Sequence, residues 1–199
     1  MRDELPSGAT PWVAFIRAIN GSPSNRIRNA VLEAMISDAG CADVMADGHT
    51  GNVFLCADDD ADALALRIEE RLAHGGLRNA DVMLRRPAEL AQLVAAQPFA
   101  GLDPAHYDAE ATFFRRVPQQ PDVTFLVERG GIVGHLDDTV LCLAWKKPAA
   151  GERVPLAGGA NPFVEKRWLV PATSRTWQVV ERVQANCERW LQQLSRERS

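Results

Sequence analysis

The apolar positions along this chain fall into short runs whose period changes between two and about 3.6, which assigns most of the elements. Trp12-Val-Ala-Phe-Ile-Arg17-Ala-Ile19 is an apolar run rich in β-formers, closed by Asn20-Gly21-Ser22-Pro23. It reads as a buried strand entering a turn. Asn29 then precedes Leu32, Met35, Ile36 and Ala39 at helical spacing with Gly40 beyond, the pattern of a capped amphipathic helix. Residues around Val44 and the run Asn52-Val-Phe-Leu-Cys56 give two strands separated by His49-Thr50-Gly51. Asp58, Asp59, Asp60 and Asp62 open a second helix with Ala61, Leu64, Ile68 and Leu72 on one face, ended by Gly75-Gly76. Asp81 to Arg86 supplies another strand, and Pro87 starts a helix with Leu90, Leu93 and Val94 inward, broken at Gln97-Pro98.

Read in order, residues 12–86 are β-α-β-β-α-β, the split pattern of a ferredoxin-like unit with two helices on one face of an antiparallel sheet. After a connection over Gly101 to Asp108, three or four strands are expected from Thr112-Phe-Phe114, Val123-Thr-Phe-Leu-Val127, Ile132-Val133 and Thr139 to Trp145. A Gly/Pro-rich excursion from Pro148 to Pro162 leads to a short helix near Phe163 to Leu169. Trp177, Val180, Val183, Cys187, Trp190, Leu191 and Leu194 then form the stripe of a long final helix. The expected fold class is α+β: two ferredoxin-like halves packed together, 12–100 and 109–199, the second degenerate and ending in the long helix. Residues 1–11 are expected to be extended or disordered.

Composition narrows the function more than it names it. With 199 residues, 46% hydrophobic and 24% charged, the chain has the make-up of an ordinary globular protein. No secretory h-region and no apolar run of membrane-spanning length is visible, so a cytoplasmic protein without a membrane partner is expected. Cys41, Cys56, Cys142 and Cys187 lie among apolar neighbours without ligand spacing, which points to reduced buried thiols and to no metal or other cofactor. From Lys146 onward there are ten basic and five acidic residues, against twelve and twenty-one before it. A basic final quarter suits an anionic ligand or nucleic acid, and the alternation of Arg182, Arg189, Arg196 and Arg198 with Glu181, Glu188 and Glu197 equally suits a solvated helix face.

Polar residues that interrupt these runs are the candidates for chemistry. Arg17 sits in an apolar strand and asks for a partner, either an anionic ligand or a carboxylate such as Glu165. Asn20, Asn25 and Asn52 lie at turns, where such side chains bind the local backbone. Arg175, two residues before Trp177, offers a cation beside an aromatic plane at a helix head, where Thr176 and Trp177 also read as cap and core anchor. His49, His74, His106 and His135 stand apart, and neither Gly130-Gly131-Ile-Val-Gly134 nor Asp58-Asp59-Asp60 has the context of a phosphate or calcium loop. No catalytic constellation emerges.

Val13-Ala-Phe-Ile-Arg17-Ala-Ile19-Asn20, Asn25-Arg26-Ile27 and Thr50-Gly51-Asn52-Val53 resemble the V-A-L-L-R-G-I-N, N-R and S-G-N-V segments of domain-of-unknown-function family 1697. Gln97-Pro98-Phe99 is similar to that family's N-P-F, and Glu165-Lys166-Arg167 with Ala172-Thr-Ser-Arg175-Thr-Trp177 to its E-K-x and A-T-x-R-N-W. The resemblance implies a cytoplasmic bacterial α+β protein of two ferredoxin-like halves, and no reaction. The family's Gly-rich turn and following Lys are Gly21-Ser22-Pro23 and Ser24 here. The leading expectation is a module that binds a small anionic ligand or nucleic acid between its halves through Arg17, Asn20, Arg26, Asn52 and Arg175, with Arg17, Asn20 and Asn52 facing Lys166 or Arg175. The alternatives are an enzyme with His49 as general base, and an interaction protein, monomer or homodimer, whose final helix supplies a dimer face.

Overall fold

A computed structural model of the chain describes residues 9–115, 121–149, 152, 156 and 159–198. The stretch expected to be extended or disordered lies outside the described residues for 1–8, as does part of the 148–162 excursion. The chain divides into two compact units, one running to Ala91 and taking up the chain again from Val183, the other Gln92–Arg182.

The first unit holds β1 (Thr10–Ile16), a 3-10 turn (Pro23–Asn25), α1 (Asn29–Asp38), β2 (Ala42–Asp47), β3 (Asn52–Ala57), α2 (Ala61–His74), β4 (Val82–Arg85) and the start of α3 (Pro87–Ala95). Its four strands lie in the order β2-β3-β1-β4, each neighbour antiparallel. Strand alternation sends Trp12, Ala14, Ile16, Val53, Leu55, Val82 and Leu84 to one face. There they share a core with Leu32 and Ile36 of α1 and Leu64, Ile68 and Leu72 of α2, so both helices cover the same side. Asp60 starts α2 by accepting the N–H groups of Asp62 and Ala63, each at 3.0 Å. On the other face Phe54 meets Trp190 of α6 (Trp177–Glu197), ring centres 5.6 Å apart.

The second unit holds β5 (Tyr107–Phe114), α4 (Thr124–Val127), β6 (Gly131–Leu136), β7 (Val140–Lys146), α5 (Asn161–Trp168) and β8 (Ala172–Thr176). Its sheet is also four-stranded and antiparallel, in the order β6-β7-β5-β8. Phe114, Leu126, Leu141, Leu143, Trp145, Val164 and Ala172 share one core. Among the described residues no helix is long and apolar enough to cross a membrane.

Four sequence expectations are corrected. Val123–Val127, expected as a strand, contains α4: Asp122 Oδ1 accepts the Thr124 N–H at 2.9 Å, and this Asx turn overrides the β preference of Val, Thr and Phe. The Thr-Ser-Arg-Thr stretch, expected as a turn at a helix head, is strand β8, because it pairs residue for residue with β5. Arg17 follows β1 instead of lying within it. Residues 183–199, assigned from sequence to the second half, belong to the first unit, since the apolar stripe of α6 brings Trp190 to Phe54.

Candidate functional site

The residues singled out in the first unit gather at one end of its sheet, where β1 and β2 finish and β3 and β4 begin. Three turns are laced together there. Arg17 Nη1 donates to Asp81 Oδ2 at 3.1 Å and its backbone N–H to the Asp81 carbonyl at 2.8 Å. The carboxylate that meets Arg17 is therefore Asp81, which the sequence reading did not name. Both side chains are roughly a quarter exposed (28% and 27%), so the pair is neither a deeply buried charge nor a free one.

Asn20 binds the backbone on two sides. Its Oδ1 accepts from the Ile27 N–H at 2.9 Å, and its Nδ2 donates to the carbonyls of Ile27 (3.2 Å) and His49 (2.7 Å). Its left-handed backbone, φ 56°, is one that Asn tolerates better than most residues. Ala18 shares that conformation at φ 59° without such tolerance, and the hydrogen bonds of Asn20 hold the loop against that strain. Asn25, buried, exchanges both amide bonds with the backbone of Arg78, 2.6 and 3.1 Å. Asn52, also buried, closes the turn before β3 by donating towards Asp47 O and Thr50 Oγ1. Gly51 sits in the same turn at φ 79°, where a Cβ would stand 2.8 Å from the Ile16 carbonyl oxygen, so only glycine fits. His49 is exposed in this turn, and among the described residues its imidazole has no hydrogen-bond partner.

The head of α1 lies at this same end. Asn29, expected as its cap, is instead the first helical residue, and its Nδ2 is drawn to the Gly48 carbonyl at 2.8 Å. The N-cap is Arg28, which makes no side-chain capping bond, and the first turn of α1 has no acidic residue. Its leading N–H groups thus keep their partial positive charge unanswered by a side chain. Arg26 and Arg28 are both exposed and line a cavity of about 410 Å³ with Asn20, Ile27 and Val31. Among the described residues neither guanidinium meets a carboxylate. Arg26 stands out from the sequence and Arg28 does not; the readable signal for both is two arginines flanking Ile27 ahead of a helix without acids in its first turn.

Arg175 belongs to the second unit. It is buried on β8, and Nη1 donates to Thr173 Oγ1 at 2.7 Å and to the Ser174 carbonyl at 2.9 Å. Loss of hydration pulls its guanidinium down to about 10. On the neighbouring strand Glu110 is buried as well. It accepts the Ala160 N–H at 2.6 Å, just ahead of α5, and the Thr112 hydroxyl at 3.2 Å, while Thr112 and Ser174 share a hydrogen bond of 2.8 Å. Burial raises the Glu110 carboxyl above its ordinary value, outweighing these hydrogen bonds. All four cysteines are free and buried, and burial raises the thiols of Cys142 and Cys187 to about 12. Such thiols are inert at neutral pH. The apolar residues of the final helix point inward, with Val180, Val183, Cys187 and Trp190 buried.

The family described as Protein of unknown function (DUF1697) matches residues 9–132. A solved structure of a conserved bacterial protein from Streptococcus pneumoniae is similar with a TM-score of 0.62 at 16% identity, covering 90% of this chain and 99% of that one. At that identity the likeness speaks for the fold. No curated protein matches the chain.

Proposed function

This chain belongs to the DUF1697 family of proteins of unknown function, and from that footing we propose that it is a cytoplasmic module that holds a small phosphorylated ligand at the head of α1. The observation that carries the reading is the pairing of Arg26 and Arg28 over a cavity at an uncapped helix N-terminus without a first-turn acid. Backbone N–H groups at such a terminus favour an anion, and two guanidinium groups add charge-assisted bonds to phosphate oxygens. Arg17, Asn20 and Asn52 act as scaffold in this reading: their hydrogen bonds shape the loop that presents Arg26. A cavity of about 410 Å³ suits a small ligand better than an extended nucleic-acid strand, which asks for a basic stripe. The matching β-α-β-β-α-β order and sheet order of the two units support two ferredoxin-like halves as the scaffold.

Thermal shift and calorimetry with inorganic phosphate, pyrophosphate, nucleotides and short oligonucleotides test the proposal. A phosphorylated small molecule should raise the melting temperature saturably. Arg26→Ala and Arg28→Ala should each weaken it roughly tenfold, about 1.4 kcal/mol, with little change in the ligand-free melt. Binding unaltered in the double variant would refute the site. Oligonucleotides binding tighter than any small phosphate, with a steep salt dependence, would transfer the function to nucleic acid.

A further inference from the structure

A second cavity, of about 570 Å³, is lined entirely by residues of the second unit and differs in make-up from the one beside α1. Phe99, Tyr107 and Trp177, all half-buried, line it together with Gln97, Gln178 and Glu181, and the lining holds neither lysine nor arginine.

Short-range rules bring these side chains together. Past the end of α3, Gln97 takes a left-handed backbone, φ 45°. The N–H groups of Ala100 and Leu102 then return to the carbonyls of Gln97 and Phe99 at 2.9 and 3.1 Å, so successive turns hold Phe99 in place. Tyr107 and Ala109 share one side of β5 by strand alternation, and the pairing of Glu110 with Thr176 sets Trp177 beside Ala109, which also lines the cavity. Glu181 follows Trp177 by four residues on α6, one turn along the same helix face.

The rings of Phe99 and Trp177 stand with centres 5.2 Å apart and planes at 83°. Walls at a right angle form a corner, which receives a compact rounded group, whereas a flat base stacks against parallel faces. Aromatic faces carry negative potential and attract a cation, tryptophan most of all. Glu181 adds a full charge of the same sign, and among the described residues its carboxylate has neither an ion pair nor a hydrogen bond. Lys147 reaches Pro104 of the lining, but its Nζ donates to the Pro104 carbonyl at 2.6 Å and faces Asp108 at 3.9 Å. An anion entering this cavity would meet no basic side chain in its lining, while a cation would meet three rings and an unpaired carboxylate.

We infer that the cavity binds a small quaternary ammonium cation of choline size, its methyl groups in the corner of Phe99 and Trp177, Tyr107 a further wall and Glu181 balancing the charge. A quaternary nitrogen has no N–H to donate, so aromatic faces serve it where carbonyl oxygens would serve an amine. The site shares no residue with the Arg26–Arg28 cavity and does not rest on the phosphate reading.

Calorimetry on the full chain tests this with choline, with the uncharged alcohol in which a carbon replaces choline's nitrogen, and with ethanolamine. Choline should bind saturably, and the other two at least tenfold more weakly. Trp177→Leu should weaken choline roughly tenfold, and Trp177→Phe, which keeps a ring in the corner, should retain part of that loss. Glu181 is exposed and unpaired, so Glu181→Lys should abolish choline binding with the melting temperature unchanged, which guards against a variant that merely unfolds. Arg26→Ala with Arg28→Ala should bind choline as the wild type does, so the two sites fail or stand separately. No saturable binding of choline, equal affinity for its uncharged counterpart, or wild-type binding in both Glu181→Lys and Trp177→Leu would overturn the inference. A trimethyl-lysine peptide that binds tighter than choline would overturn the choice of a free small cation as the occupant.

Discussion

Arg17 and Arg26 carry the same guanidinium nine residues apart, yet Asp81 meets the first and the second stands exposed over a cavity. Sequence pattern separates such residues poorly. It showed that Arg17 needed an anion, but the partner lies 64 positions away, at a distance set by the pairing of β1 with β4. Asn52 was legible because its partners lie in its own turn, whereas Asn25 reaches the backbone of Arg78 and Asn20 that of His49, partners that the local sequence does not give. Glu110 was not, since an acidic residue in a β-rich run gives no hint that it will be buried ahead of α5. Its raised carboxyl has a defined sign: stability from this group is complete below the unfolded carboxylate range and is lost as pH rises through the folded value. Glu110→Gln keeps an acceptor for the Ala160 N–H and removes the charge. The melting temperature of the variant minus that of the wild type should therefore become more positive between pH 4 and pH 7, with each kcal/mol worth roughly 2–4 °C. A difference flat with pH, read from parallel melting curves, would show that the carboxyl is not perturbed.

Elements were legible where one face is apolar and a cap is local. The α2 helix has both, and Asp60 occupies the cap that the acidic run announced. Asp60→Ala removes the acceptor of two backbone N–H groups and should cost about 1 kcal/mol, measurable as a lower denaturant midpoint with unchanged slope. An unaltered midpoint would mean that water serves the helix end equally well. Where β-branched residues cluster, pattern misled: Val123–Val127 reads as strand until Asp122 closes a turn over it. The Thr173–Thr176 stretch reads as a turn until β5 pairs with it along its length. The deciding contact is one hydrogen bond in the first place and a whole neighbouring strand in the second, and periodicity records neither. At α1 the opposite error occurred, because Asn29 has the right identity for a cap and a stronger use elsewhere.

At the scale of the whole chain, the two units repeat one order of strands and helices, and the order itself was legible from alternating periods of two and 3.6 in the first half. What pattern left open was where the last helix docks, since an apolar stripe states that a face is buried and not against what. Residues from Val183 on complete the first unit, with Trp190 on Phe54 and Asn186 Nδ2 donating to Asp47 Oδ1 at 2.5 Å. The first unit is therefore assembled from two stretches separated by all of Gln92–Arg182. Translation adds a clock to this topology. At ~5–20 residues per second the ribosome needs roughly 5–18 s to make the intervening unit, and for that interval the first sheet has one face finished and Phe54 uncovered. Released chains ending at Arg182 should be cut within residues 10–85 by a nonspecific protease far faster than the full chain, and equal rates would show that the early sheet stands without its late helix. In a newborn copy of this protein the sheet made first waits longest for its cover, because the helix that meets Phe54 is made last.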